Sequence, residues 1–238
     1  MLLLAHSRKR HLLAVAFFFT QAAAAQTIAL DVGHFLAEPG AISARGVPEF
    51  EFNRALSASI DQHLRGHGLQ TILIGADGMQ RELAARPRKA LGADLFISIH
   101  HDSAKARFLK TWVVDGVERP YLDDRFKGFS IFVSRETPKL AASLVCASAL
   151  GVQLRKQGFA PSRYHADPEL GESRAFADEP NGVHYFDHLA VLRRATMPAI
   201  LLEAGVILNR DEELLVSSDI SRQKISAAVL QAVRDCLR

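Results

Sequence analysis

Cysteine is nearly absent from this chain: 238 residues contain only Cys146 and Cys236. That excludes a disulfide scaffold, although one bridge is open to the pair in an oxidising compartment. Neither cysteine has a C-x-x-C or comparable spacing, so a cysteine-based zinc site is excluded too. The sequence has no G-x-S-x-G elbow and no H-E-x-x-H helix, the signatures of many serine hydrolases and helical zinc proteases. No apolar run reaches the roughly 20 residues that span a bilayer. Internal repeats and low-complexity linkers are missing, and a net charge of only +3 gives a nucleic-acid role no support.

What is present begins with an address. "HSRKRHLLAVAFFFTQAAAAQ" joins a basic stretch (Arg8, Lys9, Arg10) to a short apolar run, Leu12 to Phe19, and then to Ala22–Ala25. This is the pattern of a secretory signal peptide, expected over residues 1–25 with cleavage after Ala25. The expected location is therefore periplasmic or extracellular, with no membrane span in the mature chain. Residues 26–238 are enough for one well-buried core and short for two.

Along that mature part, strands and helices alternate. "TIALDVGH", "LQTILIG", "DLFISIH", "GFSIFVS" and "MPAILLEAG" read as strands. "EFEFNRALSASIDQHLRGHG" carries Leu56, Ile60 and Leu64 at helical spacing and stops at glycines. "MQRELAARPRKALGA" reads as a helix interrupted by proline. "LAASLVCASALGVQLRKQG" and "ISRQKISAAVLQAVRDCL" read as two more helices, and "TWVVDGVERP" has the Asp-Gly turn of a hairpin. Residues 160–187, rich in Pro, Gly, Asp and Glu, read as a long surface loop. The expected fold is α/β: a single domain with a largely parallel central sheet flanked by helices.

In such sheets, ligands gather at the carboxyl ends of the strands. "DLFISIHHDS" ends there in His100, His101 and Asp102. His34 follows the first strand, Glu49 precedes the first helix, and Glu203 ends the last strand. Two histidines and a carboxylate form a known hydrolytic zinc set, and a second carboxylate near the metal's water can act as base and then acid. Glu203 is hard to dismiss, because a lone acid closing an apolar strand needs a partner or an opening to solvent.

These residues carry a resemblance. "IALDVGHFLAEPGAISARGVPEFEFN", "ELAARPRKALGADLFISIHHD" and "LAVLRRATMPAILLEAGVILNRDEELL" resemble, in order, the segments of zinc-dependent N-acetylmuramoyl-L-alanine amidases. The resemblance implies Zn2+ held by His34, Glu49 and His100, with Glu203 as the catalytic carboxylate. It further implies cleavage of the amide between N-acetylmuramic acid and L-alanine in peptidoglycan. His100 rather than His101 is the expected ligand, since neighbouring side chains on a strand point to opposite faces. The sequence departs from the family pattern at Val32, where proline is common, and at Ala204, where threonine is common. It also lacks the usual glycine after His34. Two alternatives stand beside this reading: a zinc peptidase or deacetylase acting on another wall amide, and a catalytically silent wall-binding module.

Other polar residues draw blander expectations. His63 and His67 read as the polar flank of a helix, and His165, His184 and His188 as solvated loop residues. Asp31 reads as a support for the His34 turn, Arg86 as a supporting residue, and Trp112 as a buried anchor for the hairpin.

Overall fold

The computed structural model describes residues 25–238; the expected signal segment, apart from Ala25, lies outside them. Its elements in chain order are β1 (Thr27–Val32), α1 (Glu49–Gly66), β2 (Gln70–Ile74), α2 (Ala85–Lys89) and β3 (Leu95–Asp102). A hairpin of β4 (Lys110–Val114) and β5 (Val117–Tyr121) follows, then β6 (Ser130–Val133) and α3 (Leu140–Lys156). The chain closes with β7 (Phe176–Asp178), β8 (Val183–Tyr185), α4 (Ala190–Arg193), β9 (Ala199–Val206), α5 (Arg210–Ser217) and α6 (Asp219–Cys236).

Seven strands form the main sheet in the order β2-β1-β3-β9-β6-β8-β7. The first four run parallel; β6 is antiparallel to β9, β8 is parallel to β6, and β7 is antiparallel to β8. The central strands are buried on both faces, which explains their unbroken apolar sequences. On one face Ile28, Leu30, Ile97, Ile99 and Leu202 pack against α1, α3 and α6. On the other, Ala29, Phe96, Leu201 and Phe132 pack with Ala90, just past α2, and with Val191 and Leu192 of α4. Alternation along each strand thus assigns every residue near the strand ends to one face.

Local chemistry sets the helix limits. Helix α1 buries Asn53, Ser57, Ile60 and Leu64, one stripe at i, i+4, i+7 and i+11. The Asn209 side chain caps α5 by accepting from Asp211 N and Glu212 N, both at 3.1 Å, and Ser218 caps α6 through Ser221 N at 3.2 Å. In the β4–β5 hairpin, Asp115 and Gly116 both have positive φ, 51° and 76°, as an Asp-Gly turn requires. Trp112 in that hairpin donates to the Ala44 carbonyl at 3.0 Å, tying the excursion to the domain. Among the described residues, no helix is long and apolar enough to cross a membrane.

Two expectations are corrected. The helix expected over "MQRELAARPRKALGA" shrinks to α2, because Met79, Leu83 and Leu91 remain exposed and supply no buried stripe. The region 160–187 is not a surface loop throughout: β7 and β8 extend the sheet from it. These strands are only three residues long, too short for alternation to register in the sequence.

The same region corrects two histidines. His184 on β8 is fully buried between Phe176 and Phe132, and His165 is buried beside Asp102; only His188 is exposed. Burial, helped by the nearby His165, pulls the His184 pKa down to about 4, against a smaller opposing pull from the Arg174 and Ser162 backbone. The unfolded chain takes up this proton at the ordinary value of 6.5 and the folded protein only near 4. The neutral ring's contribution is therefore full above pH 6.5 and is lost as pH falls toward 4. His184→Phe should retain about 2–3 kcal/mol more of its neutral-pH stability at pH 4.5 than the unsubstituted protein does, measured by denaturant melts at both pH values.

Cys146 of α3 and Cys236 of α6 form a disulfide that closes a separation of 90 residues. A cross-link of this span restricts the unfolded chain, and its removal typically costs about 2–5 kcal/mol. Cys236→Ser, or reduction of the native protein, should lower the denaturant midpoint accordingly without altering the folded far-ultraviolet dichroism.

Candidate active site

The turn after β1 is built around Arg86. Its guanidinium is 1% exposed and donates to Asp31 Oδ1 at 2.7 Å, Val32 O at 2.5 Å, His34 O at 2.6 Å and Gln80 O at 2.7 Å. Ser98 Oγ on β3 donates to the second Asp31 oxygen at 2.7 Å. His34 itself has φ of +65°, a conformation uncommon for a side-chain-bearing residue and held here by that bond to its carbonyl. Asp31 is thus committed to Arg86 and Ser98 beneath the site.

Glu49, 5% exposed, is the first residue of α1 rather than part of the preceding loop. A carboxylate there is favoured by the helix dipole. Its Oε2 lies 3.0 Å from His34 Nε2 and accepts from Ala41 N at 3.2 Å. Its Oε1 lies 3.2 Å from His100 Nδ1 and accepts from Asn53 Nδ2 at 3.1 Å and His101 N at 3.3 Å. Burial alone would raise the Glu49 pKa, but hydrogen bonds and charge from His100 and His34 outweigh it and hold the group far below the usual carboxylate range.

One ligand-competent atom from each of His34, Glu49 and His100 lies within 4.8 Å of the others. Two glycines make room for this convergence. A Cβ on Gly33 would collide with the His100 ring, and one on Gly40 with the Glu49 carboxylate and the His34 ring. Two imidazoles and one carboxylate, tightly clustered and open on one side to a cleft of about 460 Å³, suit a divalent metal with a free coordination position.

His101 turns the other way. It is 2% exposed, its Nδ1 lies 2.8 Å from Asn53 Oδ1, and its ring packs on Phe52 at 5.5 Å. Burial lowers its pKa to about 4, so the ring is neutral at pH 7. Asn53, the asparagine that follows Glu49 by four residues in the family pattern, therefore links Glu49, His101 and the Gly33 carbonyl. It lies one turn after Glu49 on the same helix face.

Glu203 pairs in register with His100 across β3 and β9, so both side chains stand on one sheet face. Its Oε2 is buried with no hydrogen-bond partner. Burial, followed by the charges of Asp102 and Glu49, raises its pKa well above the ordinary value. Such a carboxyl group holds its proton more tightly than an exposed glutamate does.

Beyond Glu203 lies a further polar cluster that the sequence did not reveal. Asp102 accepts from Tyr164 Oη and lies 2.6 Å from His165 Nε2, while His165 Nδ1 lies 3.1 Å from Glu172 Oε2. Burial disfavours the imidazolium, but charge and hydrogen bonding from Asp102 and Glu172 prevail and lift the His165 pKa to about 9. No spacing marks these residues, which come together only when the chain after α3 folds back over β3. The rings of His63 on α1 and of His67 just past its end lie tilted with centroids 4.4 Å apart, and take no part in the site.

Known proteins resemble this chain in sequence and fold. An uncharacterized protein of Bacillus subtilis (strain 168), YqiI, is 23% identical over 210 residues, covering 87% of this chain and 83% of its own. The N-acetylmuramoyl-L-alanine amidase AmiA of Escherichia coli (strain K12) is 26% identical over 242 residues, covering 87% and 75% respectively. The solved catalytic domain of CwlV, from Bacillus (Paenibacillus) polymyxa, superposes with a TM-score of 0.67 at 22% identity, over 89% of this chain and 98% of that one. The family profile described as N-acetylmuramoyl-L-alanine amidase matches residues 28–235. On that match, the chain belongs to the N-acetylmuramoyl-L-alanine amidase family.

Proposed function

We propose that residues 26–238 form a zinc hydrolase that cleaves the amide between N-acetylmuramic acid and the L-alanine of the stem peptide. In this reading His34, Glu49 and His100 hold the metal and Glu203 is the catalytic acid–base. The observation that carries it is the convergence of three ligand-competent side chains beside a buried carboxyl group set in register with one of them. Zinc bound there supplies a Lewis acid for the scissile carbonyl and lowers the pKa of a water.

The remaining work belongs to the chain's own groups. Glu203, on the same face as His100, takes the proton of the attacking water and delivers one to the departing alanine nitrogen. Its raised pKa favours holding the proton that it delivers. Asn53 and the Ala41 N–H hold the Glu49 carboxylate in place, and Arg86 holds His34. The Cys146–Cys236 disulfide supports export to an oxidising compartment, in agreement with a leader over residues 1–25.

Mass spectrometry of purified wall fragments incubated with the protein tests the reaction. Release of stem peptides bearing a free L-alanine amino group is expected. Cleavage of a different amide would replace the assignment by a peptidase or deacetylase, and no cleavage of any fragment would favour a silent binding module.

Paired substitutions test the roles. Glu203→Gln keeps size and polarity but removes the basic oxygen, so turnover should fall about a hundred-fold or more while zinc content stays near one per chain. Glu49→Gln should lose zinc together with activity, because an amide is the poorer ligand. Metal analysis and peptide release on the same samples separate the two; normal cleavage by Glu203→Gln would remove the proposed mechanism.

A further inference from the structure

Arg174 stands out by contrast with Arg86. A guanidinium with a structural role places its outer nitrogens on nearby acceptors, as Arg86 does with Nη1 and Nη2 on one carboxylate and three carbonyls, its Nε alone lacking a partner. The Arg174 guanidinium lies over the Phe186 ring, with Cζ 3.2 Å from the centroid, and 5.9 Å from that of Phe132. Its side chain is 19% exposed, and its buried Nε ion-pairs with Glu172 Oε2 at 3.3 Å without hydrogen-bond geometry. Among the described residues, nothing accepts from Nη1 or Nη2. The group is restrained by the aromatic ring beneath it and by Glu172, and its two outer nitrogens are left for another molecule.

Position gives that vacancy a purpose. Phe132 sits opposite Leu201, on the face that Leu201 shares with Glu203, two residues or about 7 Å along β9. Phe186 packs against the cluster containing Val191, and Val191 lines the cleft that His34 and His100 enter. Across the sheet, the order β1-β3-β9-β6 sets His34, His100, Glu203 and then Phe132 with Arg174 above it. The proposed metal ligands thus occupy one side of Glu203, and the guanidinium, its outer nitrogens without acceptors, the other. The backbone holds Arg174 there: its N–H donates to the His165 carbonyl at 2.8 Å, and the His165 ring is fixed between Asp102 and Glu172.

We propose that Arg174 is a substrate-binding residue that receives a carboxylate on the peptide side of the scissile amide. The inference rests on the amidase reading above and specifies which stem peptides it favours. A planar fork of N–H donors matches a carboxylate in two parallel bonds, and stacking on an aromatic ring fixes the fork before binding. A neutral carboxamide offers one acceptor and no charge. Peptides with a free acid next to the L-alanine are therefore selected over their amidated forms.

The test uses binding, so it does not depend on turnover. The zinc-loaded full chain is titrated calorimetrically with L-alanyl-γ-D-glutamic acid and with its α-carboxamide. Arg174→Gln, Arg174→Lys and the unsubstituted protein are compared, each checked for an unchanged melting temperature. The unsubstituted protein should prefer the acid by about ten-fold to a hundred-fold, the range expected of a hydrogen bond to a charged group. Arg174→Gln should bind both peptides alike, and Arg174→Lys should keep part of the preference. An undiminished preference in Arg174→Gln overturns the proposal, as does absence of preference or of binding in the unsubstituted protein. Hydrolysis of wall fragments is scored separately: an intact preference without cleavage refutes the amidase chemistry and leaves the receptor standing, and cleavage without preference does the reverse.

Discussion

The buried pair of Arg86 and Asp31 is the constraint on which the site depends. A guanidinium cannot shed its charge in a protein, so burying it beneath the sheet's edge demands acceptors on nearly every side. Those acceptors are Asp31 on β1 and the carbonyls of Val32, His34 and Gln80. Satisfying Arg86 therefore forces the chain after β1 into one path and holds His34 in its left-handed conformation. Breaking such a pair from one side typically costs about 3–5 kcal/mol, because the other charge stays behind in the interior. The same bonds explain why the segment before α2 is not helical: the Gln80 carbonyl serves Arg86, while the residues around it leave their apolar side chains in solvent.

From that fixed turn, the rest of the site follows by strand alternation. His100 and Glu203 share a face because β3 and β9 are parallel and in register at those residues. His101 takes the opposite face, where α1 lies, and Asn53 meets it there. Asn53 is one helical turn beyond Glu49, so a single amide holds the carboxylate on one side of β3 and the imidazole on the other. Two adjacent histidines thus have separate settings, one facing the cleft and one locked into packing.

Much of this was legible in the residues and some was not. The central strands could be read because burial on both faces makes their apolar runs continuous, and α1, α3 and α6 because their stripes are long. The convergence of His34, Glu49 and His100 was legible because each closes or opens an element at one end of the sheet. β7 and β8 escaped notice because three residues cannot display a period. Asp102, His165, Glu172 and Arg174 escaped for a different reason: their association is made by a fold-back spanning some 60 residues, and no local pattern encodes it. His165 and His184 looked like solvated loop residues since their partners, an acid on β3 and aromatic rings on neighbouring strands, are distant in sequence.

Two glutamates within one site end with opposite acidities, and the fold supplies the difference. Glu49 and Glu203 are both shielded from water, and desolvation pushes both pKa values upward. Glu49, however, has two imidazoles at hydrogen-bonding distance, backbone N–H donors from Ala41 and His101, and the start of a helix behind it. Glu203 has a buried oxygen with no donor and feels two neighbouring negative charges. The first environment favours the ionised carboxylate; the second favours the protonated form. Exchanging the two roles would require moving the donors, and these are backbone groups and rings fixed by β1, α1 and β3. In the proposed reading, the division of labour between ligand and acid–base would be set by the same strand ends that bring the residues together.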